Sequence, residues 1–175
     1  MHGMELFDAE RTKIHGGSIR FYARMKNKRK ISRNAKALLE LEKKKGFHDI
    51  DIYKKFAKDV VRLKKELTQL LGNLKKEGNK ICGFGAPAKG NTLLNYMKID
   101  SSIMDYIVDN NPYKQNLFTP GTKIPVFHPG KLKSDKPDYL LILAWNFADE
   151  VMEEQKEFAR KGGKFIIPIP KPIVV

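Results

Sequence analysis

Lys80-Ile81-Cys82-Gly83-Phe84-Gly85-Ala86-Pro87-Ala88-Lys89-Gly90-Asn91-Thr92 is the stretch that decides the fold. It opens as a short apolar strand, turns through glycines and leads into a helical segment over 91–98. Gly83, Gly85 and Ala88 match the G-x-G-x-x-A spacing of a dinucleotide-binding turn. Glycines allow a tight turn and close backbone approach, and the free N–H groups at a helix start attract an anion. Lys89 adds a full positive charge beside them. The Gly-Lys-Ser/Thr ending of a Walker loop is absent. The alternative reading is a tight turn with nothing at the helix end.

Downstream, strands and helices alternate. Residues 102–108 read as a second strand and 109–125 as a loop rich in Asn, Pro and Gly. The unbroken apolar run 139–144 reads as a strand buried on both faces. A helix is expected over 147–161, stopped by Gly162-Gly163, and a last strand over 165–167, closed by Pro168 and Pro170.

Upstream lies the clearest helix. Ile52, Phe56, Val60, Leu63, Leu67, Leu70 and Leu74 recur at spacings of four and three and form one apolar stripe. A shorter helix is expected over 32–45, ended by Gly46. Residues 1–23 read as a short extended unit: the β-prone Ser18-Ile19-Arg20-Phe21-Tyr22-Ala23 follows the turn-forming His15-Gly16-Gly17. The basic run 24–30 reads as a linker. The fold class is therefore α/β: a Rossmann-like parallel sheet with flanking helices, preceded by a long amphipathic helix and a short N-terminal extended segment.

Composition sets the outer limits. The 175 residues are 41% hydrophobic and 31% charged, enough for a compact domain with an extension. No apolar run reaches the roughly 18–20 residues of a membrane span. No signal peptide is visible either, so no membrane role and a cytoplasmic setting are expected. The single cysteine, Cys82, excludes an internal disulfide and reads as a small buried hydrophobe. The four histidines form no metal-spaced cluster, so no metal site is expected. The net charge of +14 is concentrated in residues 1–80, which carry +12. That asymmetry fits polyanion binding or a solvated helix face. No aromatic residue interleaves the basic side chains of 24–33, as single-strand stacking would need, so nucleic acid is not the expected partner.

In an open parallel sheet, ligands sit beyond the carboxyl ends of the strands. Asp109, Asn110, Asn111, Pro112, Lys114 and Gln115 follow the second strand, and Trp145 and Asn146 follow the third. Asp109 lies 24 residues beyond Gly85, a separation suited to a ribose hydroxyl. Trp145 offers a flat surface to a base or sugar, or simply packs. Asn146 reads as a ligand contact or as the cap of the helix that follows.

The segments 85–96, Asp109-Asn110-Asn111-Pro112, Pro120-Gly121-Thr122-Lys123-Ile124-Pro125, Leu143-Ala144-Trp145-Asn146 and 165–170 together resemble the C-terminal domain of SAM-dependent sugar C-methyltransferases. His15-Gly16-Gly17-Ser18-Ile19-Arg20 resembles the stretch that closes the central domain of such enzymes. The resemblance implies a division at residue 30. On this reading 1–30 are the end of a central methyltransferase domain plus a basic linker, and 31–175 are the C-terminal Rossmann-like domain.

It further implies a nucleotide-linked keto-deoxysugar as ligand. Gly83, Gly85, Ala86, Pro87, Ala88, Lys89, Gly90, Asn91 and Thr92 would lie at its phosphates, with Asp109, Lys114, Trp145 and Asn146 nearby. The family's cysteine cluster, its acidic-and-glycine SAM loop and its Tyr-His-Glu-His type catalytic segment are not found in this sequence. Proton abstraction beside a ketone needs a positioned base, and His15 does not occupy the family's catalytic position. The expectation is a chain with no catalytic residue and no cofactor of its own, SAM belonging to the full-length enzyme. A separate SAM-binding methyltransferase chain is the expected partner, and an exposed apolar patch could also pair two copies. The competing readings are an NAD- or CoA-type binding module and, less favoured, a nucleic-acid-binding protein.

Overall fold

The computed structural model describes residues 2–26 and 30–175, which divide into two units, Met1–Asp59 and Val60–Val175. In the first unit, β1 (Met4–Thr12) and β2 (Ser18–Met25) pair antiparallel, with a bulge between Leu6 and Asp8. A 3₁₀ turn at Ile14–Gly16 reverses the chain, with His15 at φ 55° and Gly16 at φ 77°. Arg24 and Met25, expected in the linker, belong to β2. Facing Glu5 across the hairpin turns Arg24 from an isolated charge into an ion-pair partner at 3.1 Å, and its guanidinium lies 5.0 Å from the Phe7 ring centroid. The remainder of the expected linker falls partly on residues 27–29, outside the described residues.

Helix α1 (Arg33–Lys44) starts where its cap dictates. The Ser32 hydroxyl accepts the Ala35 N–H at 3.1 Å and donates to the Asp8 carboxylate, tying the helix start to β1. Gly46 ends it in a left-handed conformation at φ 74°. Helix α2 (Ile50–Lys76) carries the predicted stripe and continues across the boundary between the units.

The second unit holds a six-stranded sheet of order β5-β4-β3-β6-β7-β8. Strands β3 (Ile81–Phe84), β4 (Tyr106–Val108), β5 (Val126–Phe127), β6 (Tyr139–Ile142) and β7 (Lys164–Ile167) run parallel. The last, β8 (Ile173–Val174), is antiparallel to β7. The order runs outward from β3 in one direction and from β6 in the other, which makes a topological switch point between them.

Alternation along each strand builds two cores. Ile81, Ile107, Leu141 and Ile166 face one side, packed with Leu67, Leu71 and Leu74 of α2 and with Leu93, Leu94 and Met97 of α3 (Ala88–Met97). Cys82, Phe84, Tyr106, Leu140, Ile142 and Phe165 face the other. There they meet Leu132 of α4 (Lys131–Asp135), Val151 of α5 (Ala148–Glu154) and Phe158 of α6 (Lys156–Arg160). The Rossmann-like class is as the alternation predicts.

Several elements differ from the sequence reading. The strand expected over 102–108 is only Tyr106–Val108, because the Asp100 carboxylate accepts both the N–H and the hydroxyl of Ser102 and folds that stretch into a turn. Helix α3 begins at Ala88, three residues earlier than expected, with Pro87 extended just before it. The helix expected over 147–161 breaks at Gln155 (φ −100°, ψ 24°) into α5 and α6. Strand β5 and helix α4 carry no marked sequence signal. Among the described residues no helix is long and apolar enough to cross a membrane.

Candidate functional site

Three connections meet at the carboxyl ends of β3, β4 and β6. The first is the glycine turn. Gly85 has φ 81°, and a Cβ there would lie 3.3 Å from that of Ala144, so both conformation and space call for glycine. At Gly90 an added Cβ would lie 3.0 Å from Leu143 Cβ, so glycine here lets α3 press against the end of β6. The backbone of the turn is fixed to its neighbours: Gly85 N–H donates to Val108 O at 2.7 Å and Leu143 N–H to Phe84 O at 3.0 Å.

The second connection starts at Asp109, which is 8% exposed and acts as a clamp. Its Oδ2 accepts the Ala86 N–H at 2.7 Å and the Lys114 ammonium at 3.1 Å, and its Oδ1 accepts the Asn111 N–H at 2.8 Å. Burial alone would raise its pKa. The Ala86 and Asn111 amides and then Lys114 outweigh that and hold the carboxyl below its ordinary value. Gln115 donates from Nε2 to the Asp109 carbonyl at 2.9 Å, so the whole Asp-Asn-Asn-Pro bend is internally braced.

The third connection is the 3₁₀ turn Trp145–Phe147 after β6. Lys89, in the first turn of α3, places Nζ 4.4 Å from the centroid of the Trp145 ring. Burial lowers the pKa of its ammonium. The turn thus presents an oriented cation on an aromatic face, next to the first-turn amides of a ten-residue helix.

The predicted residues are therefore brought together from three strands, but their work divides. Gly83 is buried in the sheet, where its Cα faces Ile107 and Met104. Gly85, Ala86, Pro87, Ala88, Lys89 and Gly90 form the turn and helix start. Asn91 donates its N–H to Pro87 O at 3.1 Å, and its Oδ1 is buried with no hydrogen-bond partner among the described residues. Thr92 bonds back to Ala88 O at 3.1 Å within the helix. Asn146 is half-buried and does not cap α5, whose N-cap position is Phe147 with no side-chain cap bond.

The sequence reading missed Asn95. Its Nδ2 donates to Asn91 O at 2.8 Å and to Pro120 O at 2.9 Å, anchoring the Pro-Gly-Thr-Lys loop on α3. Its position four residues after Asn91 was the available signal.

A separate cleft of about 600 Å³ lies on the other core's side of the sheet. It runs between α4 and α6 over Leu132 and Phe158, and none of the predicted residues lines it. Among the described residues no group of three or more metal-ligating side chains occurs.

The arrangement can hold an anion on the helix start and Lys89, with Trp145 beside it. A family described as the C-methyltransferase C-terminal domain matches residues 13–170. The C-methyltransferase NovU of Streptomyces niveus is 34% identical over 175 residues, covering 99% of this chain and 42% of that protein. The chain thus spans about two fifths of the length of the curated relative it matches. With nearly its whole described fold inside the family match, this chain belongs to the C-methyltransferase C-terminal domain family.

Proposed function

We propose that the chain is the nucleotide-sugar-binding part of a SAM-dependent C-methyltransferase. It acts in the cytoplasm on a nucleotide-linked keto-deoxysugar and does not transfer methyl by itself. The observation that carries this reading is the meeting of the α3 start, Lys89 and Trp145 at the β3–β6 switch point. A diphosphate suits that seat: the amides supply donors, Lys89 supplies charge, and Trp145 keeps the ammonium from folding away. The Asp109 carboxylate fixes the turn through the Ala86 and Asn111 amides and Lys114, and its Oδ1, which accepts only the Asn111 N–H, keeps an acceptor position for a ribose hydroxyl on this reading.

SAM would supply the methyl group in the complete enzyme, but this turn fits it poorly. Its sulfonium is positive, and the nearby side-chain charges are Lys89 and an Asp109 already paired with Lys114. Among the described residues the carboxylate at the turn is that of Asp109, which is held ionised by the Ala86 and Asn111 amides and Lys114 and so is a weak base towards a carbon acid.

Calorimetric titration of the chain with thymidine diphosphate, and separately with SAM, tests the reading. The expected result is saturable binding of the nucleotide and none of SAM. Lys89→Met should weaken nucleotide binding about tenfold or more, the order expected for one charge-assisted contact. Binding should also fall towards alkaline pH sooner than an ordinary lysine would allow, since burial lowers the Lys89 pKa. SAM binding without nucleotide binding would overturn the proposal. NADH binding with indifference to thymidine diphosphate would instead make the chain a dinucleotide module.

A further inference from the structure

The apolar stripe of α2 is longer than the core that covers it. Leu67, Leu71 and Leu74 are buried, whereas Ile50, Tyr53, Phe56 and Val61 are 53–68% exposed. Ile50, Tyr53, Phe56, Ala57, Val60 and Leu63 follow one another at spacings that keep them on one side of the helix. At a rise of about 1.5 Å per residue, that side runs for about 20 Å. Among the described residues Ile50, Tyr53, Phe56 and Val60 belong to neither core. The Tyr53 hydroxyl is already spent, donating to Phe47 O at 2.8 Å, so the ring can be covered without burying a bare hydroxyl. A contiguous exposed apolar patch of this kind marks an interaction surface.

The order of residues along this side chooses the occupant, because it is its own complement. Two-fold antiparallel pairing about the midpoint between Phe56 and Ala57 sets Ile50 against the partner's Leu63 and Tyr53 against the partner's Val60. It sets Phe56 against the partner's Ala57, so the largest side chain meets the smallest at the centre, and every contact occurs twice. Lys55 and Asp59 share one flank of the stripe, joined at 2.7 Å within the helix. The same pairing brings the partner's Asp59 level with Lys55, so opposite charges meet along that flank. On the other flank Lys54 carries its own counter-charge, Asp51, at 2.9 Å.

We propose that the exposed half of α2 is a self-association face, through which two copies of this chain pair antiparallel. The contact is small and works against the sixteen Lys and Arg over eight Asp and Glu of residues 1–59, so it belongs with weak, transient interfaces. The chain is a monomer at the low concentrations of a fluorescence measurement and pairs as concentration rises. Pairing through α2 goes beyond ligand binding at the glycine turn and does not depend on it.

Sedimentation equilibrium of the full chain from about 10 μM to about 500 μM tests it. A monomer–dimer equilibrium is expected, weakened at least tenfold by Phe56→Ser. Leu117→Ser, at an exposed apolar position of the second unit, should leave it unchanged. Charge reversal reads the register. Lys55→Asp and Asp59→Lys should each weaken pairing, because each sets like charges along the flank of both copies. Mixed in equal amounts, the two variants should pair again, since the acidic flank of one then faces the basic flank of the other. The like-charge neighbours within each variant helix persist in the mixture, so recovery reports contact between copies and not repair of the helix. A chain that stays monomeric through the whole range would overturn the proposal. So would dimers indifferent to Phe56→Ser, or a mixture of the charge variants that fails to recover.

Discussion

About two fifths of the residues are hydrophobic in both 1–59 and 60–175. Yet among the described residues every buried hydrophobic side chain except Ala9 lies beyond Asp59. The difference is one of layers. The second unit sandwiches a sheet between helices and closes a core on each side, whereas the first offers a hairpin, α1 and the start of α2, too few layers to enclose anything. Helix α2 contains its own control, because one apolar stripe runs along it. Leu67 and Leu74 are buried at one end, and Phe56 is 68% exposed at the other. Apolar content makes a face; a second layer makes a core.

The sharpest way to break that comparison is a pair of substitutions on the same stripe. Leu67→Ala should destabilise the second unit by about 3 kcal/mol, the usual range for emptying a fully buried leucine site. Phe56→Ala should cost less than about 0.5 kcal/mol, as exposed positions do. Urea unfolding followed by the fluorescence of Trp145 reads both. Equal losses would mean that the exposed half of α2 is buried in solution.

The next effect is at the site. Asp109→Asn should remove about 2 kcal/mol, because the Lys114 ammonium loses its counter-charge and the Ala86 amide its strongest acceptor. A pH dependence goes with it. The folded-state pKa is depressed, so the carboxylate's contribution is fully present above the ordinary aspartate value of about 3.9 and is lost as pH falls through the lower folded value. Acid unfolding of the wild type should steepen in that window, and the Asn variant should lose this part of the slope. An unchanged slope would remove Asp109 from its role as clamp.

What could be read in advance follows from how local each signal is. The glycine turn and the α2 stripe rest on short-range spacings, and both stand where the sequence puts them. The Lys89–Trp145 stack joins residues 56 apart, and Asp109 closes on Ala86 across 23. Both contacts exist only because the sheet sets β4 and β6 on either side of β3, and no spacing rule contains that order. Periodicity showed that α2 has an apolar face but not what covers it, so the exposure of Phe56 was not legible. The Asp100–Ser102 turn was local yet hidden, because the same residues also continue a plausible strand.

Within the first unit the comparison predicts a smaller and more local effect. Ser32→Ala should lower stability by about 1 kcal/mol, the usual value of an N-cap. The loss should appear as faster amide exchange in α1 and at Asp8 while β3 and β6 keep their protection. A loss spread evenly through the sheet would mean that the two units unfold as one.

The least perturbing test uses the single cysteine. Cys82 is fully buried in β3, and burial chiefly drives its thiol pKa up to about 12. The thiolate is the form that attacks thiol reagents, so at pH 8 two barriers act together: access and ionisation. Modification of the native chain should therefore be slow and should follow the opening of the second unit, accelerating with urea in parallel with the Trp145 signal. A cysteine placed on the hairpin by Leu6→Cys should react at the rate of a free thiol, because that side chain is 53% exposed in its native surroundings. If Cys82 reacts as quickly as the hairpin thiol, the second unit does not close its core, and the contrast between the two halves of the chain fails.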